Sequence, residues 1–255
     1  MATVAIIQAR MGSTRLPGKV LRDLCGTTVL GHVVRRVRRC DLVDKIVVAT
    51  SISVADDLVE REAEAQGALV FRGSEEDVLS RYLEAALQSK ADVIVRVTSD
   101  CPLVDPEILC QMVELFRRRN AASSAQPVDY LSNTLGERTF PRGLDAEVFT
   151  TDALAKAHAL ARDPWDREHV TPYIYSHPEM FRLEGYRQAT DQSSLRWTLD
   201  TEEDWILIQT VYDTLGAERR AFTTQDVIEY LRTRPELMFV NADVRQKQRT
   251  DSRST

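Results

Sequence analysis

A chain of 255 residues, 43% hydrophobic and 28% charged, has enough apolar material for one large folded unit or two small ones. Its formal net charge of −6 argues against a general nucleic-acid binder, which needs a basic face to neutralise phosphates. No apolar run approaches the ~20 residues of a membrane span and no basic-then-apolar leader opens the chain, so neither a span nor a secretory signal is expected.

In chain order, "TVAIIQA" reads as a buried strand, short and rich in β-branched residues. A helix follows over Thr28 to Arg39, its apolar stripe formed by Val29, Leu30, Val33, Val34 and Val37. The cluster "RRVRR" at Arg35 to Arg39 then falls on its solvated outer face. "KIVVAT" is a second strand, Val54 to Gln66 a helix stopped by Gly67, and "ALVFRG" a third strand. "SEEDVLSRYLEAALQSK" opens on a capping pattern, Ser74 with Asp77, and continues as an amphipathic helix. "DVIVRVT" is a fourth strand ending beside Asp100, and Asp105 caps a helix running to Arg119.

Such regular alternation predicts an α/β fold, a mostly parallel central sheet with helices on both faces. Beyond Ala121 the pattern loosens. "AASSAQP" is a small-residue connection, "VDYLSN" and "LDAEVFT" read as strands, and "TDALAKAHALARD" is helical. "LRWTLD" reads as a further strand, with helices over Thr201 to Leu215 and Thr223 to Arg232. A single domain over residues 1–240 is expected, in two halves (1–120 and 121–240), with a polar tail (241–255) that frays. Cys25, Cys40, Cys101 and Cys110 show neither C-x-x-C nor zinc spacing and read as reduced thiols of a cytoplasmic protein.

Parallel sheets bind ligands beyond the carboxyl ends of their strands, so the loop after the first strand and Asp100 after the fourth share one rim. The loop "QARMGSTRLPGKV" fits neither the Walker spacing, having one residue too many between Gly12 and Gly18 and Val20 after Lys19, nor the dinucleotide fingerprint. Its chemistry is still that of an anion site. Glycines allow close backbone approach, and Arg10, Arg15 and Lys19 suit the charge of a triphosphate. Asp100 and Asp200 each end a predicted strand, and two carboxylates plus phosphate oxygens suffice for Mg²⁺. Asp200 has a second reading as the cap of the following helix.

"QARMGSTRLPGKVL" closely resembles the signature of a cytidylyltransferase family that includes spore-coat polysaccharide proteins of the SpsF type and is similar to CMP-sugar-acid synthetases. The likeness continues in register through "RGSEEDVLSRY", "RVTSDCPLVDP", "FPRGLDAEVF", "REHVTPYIY" and "RWTLDTEEDW", covering about residues 3–205. It implies a GT-A-like nucleotidyltransferase fold, CTP as donor and Mg²⁺ held by Asp100 and Asp200. It also implies a sugar or sugar-acid acceptor, and related enzymes are often homodimers. Gln8, Ala9, Arg10, Gly12, Ser13, Arg15 and Lys19 then face the nucleotide, with Arg10, Lys19 and Asp100 catalytic. Ser51, Arg72, Gly73 and Ser74 fall near its base and ribose. The resemblance makes residues 1–120 the nucleotide-binding half and 121–240 the acceptor-binding half, in which Arg142, Asp145, Glu147, Glu168 and His169 are the candidates for the acceptor pocket. Glycosyl transfer from a nucleotide-sugar is the rival reaction on such a fold, but no D-x-D pattern surrounds Asp100. A non-catalytic binding protein is a third class.

Overall fold

The computed structural model describes residues 1–121, 127–216 and 221–245. β1 (Thr3–Gln8) leads through a 3-10 turn (Lys19–Leu21) to α1 (Val29–Val37). β2 (Lys45–Ser51), α2 (Asp57–Ala65), β3 (Leu69–Gly73), α3 (Val78–Ser89), β4 (Val93–Thr98) and α4 (Pro106–Arg119) follow. The later part adds β5 (Tyr130–Ser132), β6 (Glu147–Thr150), α5 (Thr151–Leu160), α6 (Pro164–His169), α7 (Pro172–Tyr175) and β7 (Leu183–Gly185). α8 (Glu202–Val211) and α9 (Thr224–Thr233) close the described chain, with a 3-10 turn over Pro235–Phe239.

One seven-stranded sheet runs through both halves in the order β3-β2-β1-β4-β6-β5-β7. β3, β2, β1 and β4 are parallel, β6 is antiparallel to both β4 and β5, and β7 pairs parallel with β5. The chain moves outward from β1 to β3 and then crosses back to β4, so the order reverses beside β1. That reversal opens a crevice at the carboxyl ends of β1 and β4, where α/β sheets take ligands.

Period-two alternation sends neighbouring residues of the central strands into different cores. Ala5, Ile7, Val48, Val95 and Val97 pack with Val33, Val34, Val59, Met112 and Phe116 of α1, α2 and α4. Val4, Ile6, Val47, Ala49 and Ile94 pack with Leu79, Tyr82, Leu154 and Ile174 of α3, α5 and α7. A third cluster, with Leu16, Leu24, Trp197, Leu199, Trp205 and Ile208, fixes the loop after β1 against α8 and α9.

Several expectations need correction. The helix after β3 begins at Val78, with Asp77 as its cap; Ser74 Oγ instead accepts from Asp77 N (3.0 Å) in the turn before it. "LRWTLD" is extended but forms no strand. Among the described residues its only bridge joins Arg142 to Arg196, and beyond it Leu199 N donates to the Asp100 carbonyl (2.8 Å). Gly143 (φ +103°) lets this segment cross so closely, because a Cβ there would collide with the Trp197–Thr198 backbone. Arg36 is buried rather than solvated, donating to Val104 O (2.7 Å) and stacking on Phe222. Cys40 and Cys110 are not free thiols. They form a disulfide that ties the end of α1 to α4 (Cα–Cα 5.4 Å), a pairing set by helix packing across 70 residues of sequence rather than by local spacing. Cys25 and Cys101 are free. The stretch expected to fray from 241 starts with a buried Asn241; residues 246–255, and 122–126 of the small-residue connection, lie outside the described residues.

Candidate active site

The loop after β1 returns on itself at Gly18, whose φ of +66° is the left-handed conformation that favours glycine. This turn starts the 3-10 segment and sends Lys19 inward. Its ammonium donates to Asp100 Oδ2 (3.0 Å), Asp200 Oδ1 (2.9 Å) and the Leu199 carbonyl (2.6 Å). Residues far apart in sequence thus meet on one nitrogen. Asp100 is further set by Thr98, whose hydroxyl donates to Oδ1 (2.6 Å). The second oxygen of Asp200 lies 3.1 Å from both Arg15 and Arg196. Asp200 does not cap α8. Thr201 does, in a reciprocal capping box with Asp204, which leaves the Asp200 carboxylate to the cleft.

Burial alone would lower the Lys19 pKa, but the facing charges of Asp100 and Asp200 outweigh it and raise the value. Burial would likewise raise that of Asp100, yet Lys19 and the Thr98 hydrogen bond bring it below the ordinary carboxylate range. The Cys101 thiol, pushed well up by burial and then by Asp100, is no nucleophile.

Two adjoining cavities meet at this centre. The first, about 290 Å³, is lined by Gln8, Ala9, Arg10, Gly12, Ser13, Arg15 and Lys19 with Asp100 and Asp200. The second, about 1090 Å³, brings together Arg142, Asp145, Glu147, Glu168 and His169, and again reaches Gln8, Arg15, Asp100 and Asp200. Ser51, Arg72, Gly73 and Ser74 line neither. Ser51 is buried against Asp56, and Arg72 is held by Asp57 and Glu60 (both 2.7 Å). In the larger cavity Glu147 is a buried hub. It accepts from Arg96 (2.8 Å), Tyr130 (2.9 Å) and Thr171 (2.9 Å). Asp145 pairs with Arg138, while the Arg142 guanidinium makes no ion pair among the described residues. Arg10 reaches across the first cavity to Glu75 (3.8 Å) and Glu168 (4.0 Å), both loose contacts.

Residues 4–244 match the Cytidylyltransferase family. The chain belongs to that family. A solved cytidylyltransferase from Leptospira borgpetersenii serovar Hardjo-bovis is 36% identical, spans 97% of this chain and 100% of its own, and superposes with a TM-score of 0.86. The spore coat polysaccharide biosynthesis protein SpsF of Bacillus subtilis is 37% identical over 91% of this chain and 94% of its own. CMP-2-keto-3-deoxy-manno-octonic acid synthetase, solved with CTP, shares the fold at 19% identity and a TM-score of 0.65, over 86% of this chain and 100% of its own.

This cytidylyltransferase also uses residues that sequence reading passed over. Asp204, fully buried, accepts from the Asp200 and Thr201 amides (2.9 and 3.1 Å), from Arg196 and from Asn241 (2.8 Å), so it orients Asp200 through both backbone and side chain. The capping pattern in "TEED" could have disclosed it. Asp56 holds the loop through the Met11 amide (2.7 Å), and nothing local marks that role. Arg81 lies buried on the first cavity's wall, donating to Ser74 O (2.8 Å) with its Nε unpaired; burial lowers its pKa. An arginine inside the apolar stripe of α3 was the available signal. No helix among the described residues is long and apolar enough to cross a membrane.

Proposed function

We propose that this cytidylyltransferase activates a sugar or sugar acid with CTP for polysaccharide or glycoconjugate synthesis. An acceptor hydroxyl oxygen attacks the α-phosphorus of CTP, the bond to the β-phosphate oxygen breaks, and pyrophosphate leaves with the electron pair while the hydroxyl proton passes to solvent. One observation carries this reading: Lys19, Asp100 and Asp200 converge where a cavity lined by Arg10, Arg15 and Lys19 adjoins a larger one. The smaller cavity would take the nucleotide and the larger the acceptor, so the reacting atoms would meet beside the carboxylates. Nucleotidyl transfer is largely positioning and charge stabilisation, which suits this arrangement.

The donor set also suits magnesium. Two hard carboxylate oxygens already converge on a cation, the Lys19 ammonium, and among the described residues no cluster of three or more ligating side chains competes with them. Mg²⁺ is commonly held by one or two carboxylates with phosphate oxygens and water. Asp100 and Asp200 would hold it, and when bound it would neutralise charge building on the phosphates. Arg10, Arg15 and Lys19 would stabilise the departing pyrophosphate, and Arg142 would orient an anionic or hydroxyl group of the acceptor. CTP as co-substrate points to a cytoplasmic reaction. The Cys40–Cys110 pair lies outside both cavity walls, so the chemistry does not call on it. A homodimer, carried over from related enzymes, is testable by light scattering.

Incubation with each nucleoside triphosphate, Mg²⁺ and a panel of neutral and acidic sugars should release pyrophosphate with CTP and form a CMP-sugar. Transfer of sugar from a nucleotide-sugar without pyrophosphate release would establish the glycosyltransferase reading instead.

A further inference from the structure

Resting on the metal assignment just proposed, we infer that Lys19 is a resident cation that keeps a free divalent ion out of the Asp100–Asp200 site until nucleotide draws the ammonium away. The saturation of the site is the observation. An ammonium has three N–H donors, and all three of Lys19's are used, on Asp100, Asp200 and the Leu199 carbonyl. Each carboxylate's remaining oxygen is also occupied, by Thr98 on Asp100 and by Arg15 and Arg196 on Asp200. Lys19 is buried, so solvent does little to loosen its ion pairs.

An arriving hydrated Mg²⁺ therefore meets carboxylates whose charge is already compensated, and Mg²⁺ gives up water reluctantly. It would also have to expel an ammonium whose three N–H groups are all satisfied where it stands. A triphosphate changes both conditions. Its oxygens offer Lys19 new partners at the wall of the same cavity, and the ion it carries replaces a single charge with a double one between the two carboxylates. The binding unit is then the metal–nucleotide complex, and the enzyme avoids idle loading with metal alone. Arg15, pairing with Asp200 from the same loop, would move with Lys19.

The sign of the mutational effect is unusual. Removing a positive side chain that serves the nucleotide should improve metal binding in its absence. Mn²⁺ binding to the whole protein, followed by electron paramagnetic resonance, would be compared for the parent, Lys19→Met and Lys19→Gln, without nucleotide and with a non-hydrolysable CTP analogue. Without nucleotide, both variants should bind Mn²⁺ at least tenfold more tightly than the parent, and adding Asp100→Asn should abolish the gain. Magnesium chloride, but not sodium chloride of equal ionic strength, should raise the melting temperature of both variants and leave the parent's unchanged. Equal nucleotide-free affinities for parent and variants overturn the inference while leaving the metal assignment in place. Loss of the parent's analogue-dependent Mn²⁺ signal in Asp100→Asn supports that assignment; its retention in both Asp100→Asn and Asp200→Asn overturns the assignment and the inference together.

Discussion

The two halves of the sheet place their functional groups by different means. In the first, β1 and β4 pair through register from Thr3–Val93 to Gln8–Thr98, both faces are buried, and the loop and Asp100 stand where that ladder ends. In the second, β5 and β7 have three residues each and β6 has four. So short a ladder cannot orient a pocket alone, and side-chain networks take over: Glu147 with Arg96, Tyr130 and Thr171, and Arg138 with Asp145. Changes at the first rim should therefore cost chemistry more than fold, whereas changes in the second half should cost both.

The sharpest test of the first half is Asp100→Asn. The amide is isosteric and Lys19 keeps its pair with Asp200, so the melting temperature should fall less than in the second-half variant below. Loss of one electrostatic contact in a preorganised site should lower kcat by roughly 10²–10³. Pyrophosphate release at saturating CTP measures it, and near-parental turnover would remove Asp100 from the machinery.

For the second half the matching substitution is Glu147→Gln. It leaves the Arg96 guanidinium buried beside an amide instead of a carboxylate. Breaking a buried pair from one side costs about 3 kcal/mol or more. Urea unfolding should show that loss, accompanied by a higher acceptor KM. If stability were unchanged, the contrast between the halves would be wrong at its centre.

This contrast also explains what could be read from the chain. "TVAIIQA", "KIVVAT" and "DVIVRVT" announce themselves because strands buried on both faces are continuous apolar runs, and their order places the rim. The loop cations and Asp100 were legible for the same reason, since strand ends are where chemistry collects, whereas Asp200 was read at the end of a strand that does not form and reaches the cleft because Leu199 bonds the Asp100 carbonyl. Arg72 lines neither cavity because it pairs with Asp57 and Glu60 on α2, and no spacing within "ALVFRG" reports those partners. "LRWTLD" alternates like a strand, but whether it finds a ladder depends on neighbours: it meets only Arg142 before Gly143 turns the partner away. The Glu147 hub and the Cys40–Cys110 bond are likewise products of tertiary packing, invisible to local periodicity.

A smaller effect is expected at Arg142, which lines the larger cavity and not the smaller, and has no ion-pair partner among the described residues. Burial, with Arg138 nearby, lowers its pKa, so an anionic acceptor group would relieve an uncompensated charge. A hydrogen bond to a charged group contributes ~1.5–3 kcal/mol, so Arg142→Ala should raise the KM of an acidic acceptor by roughly tenfold or more. The KM for CTP should not move. A matching rise in both constants would place Arg142 on the nucleotide instead and blur the division between the cavities.

The smallest effect is one of pH, and it reaches both halves. His32, on α1, and His169, at the end of α6, have pKa values lowered from 6.5, first by burial and then by nearby arginines. Leu24 O opposes this at His32 and Glu168 at His169. In the folded state each ring therefore stays neutral at a pH where the unfolded chain has begun to bind protons. The sign follows from linkage: stability is fully present above 6.5 and declines as pH falls below it, until the folded pKa values are reached. The urea midpoint should drop between neutral and mildly acidic pH, and less steeply in His32→Gln/His169→Gln. If that variant lost stability as steeply as the parent, protonation elsewhere would govern the acid limb. A flattening produced by only one of the two substitutions would show which histidine carries the linkage.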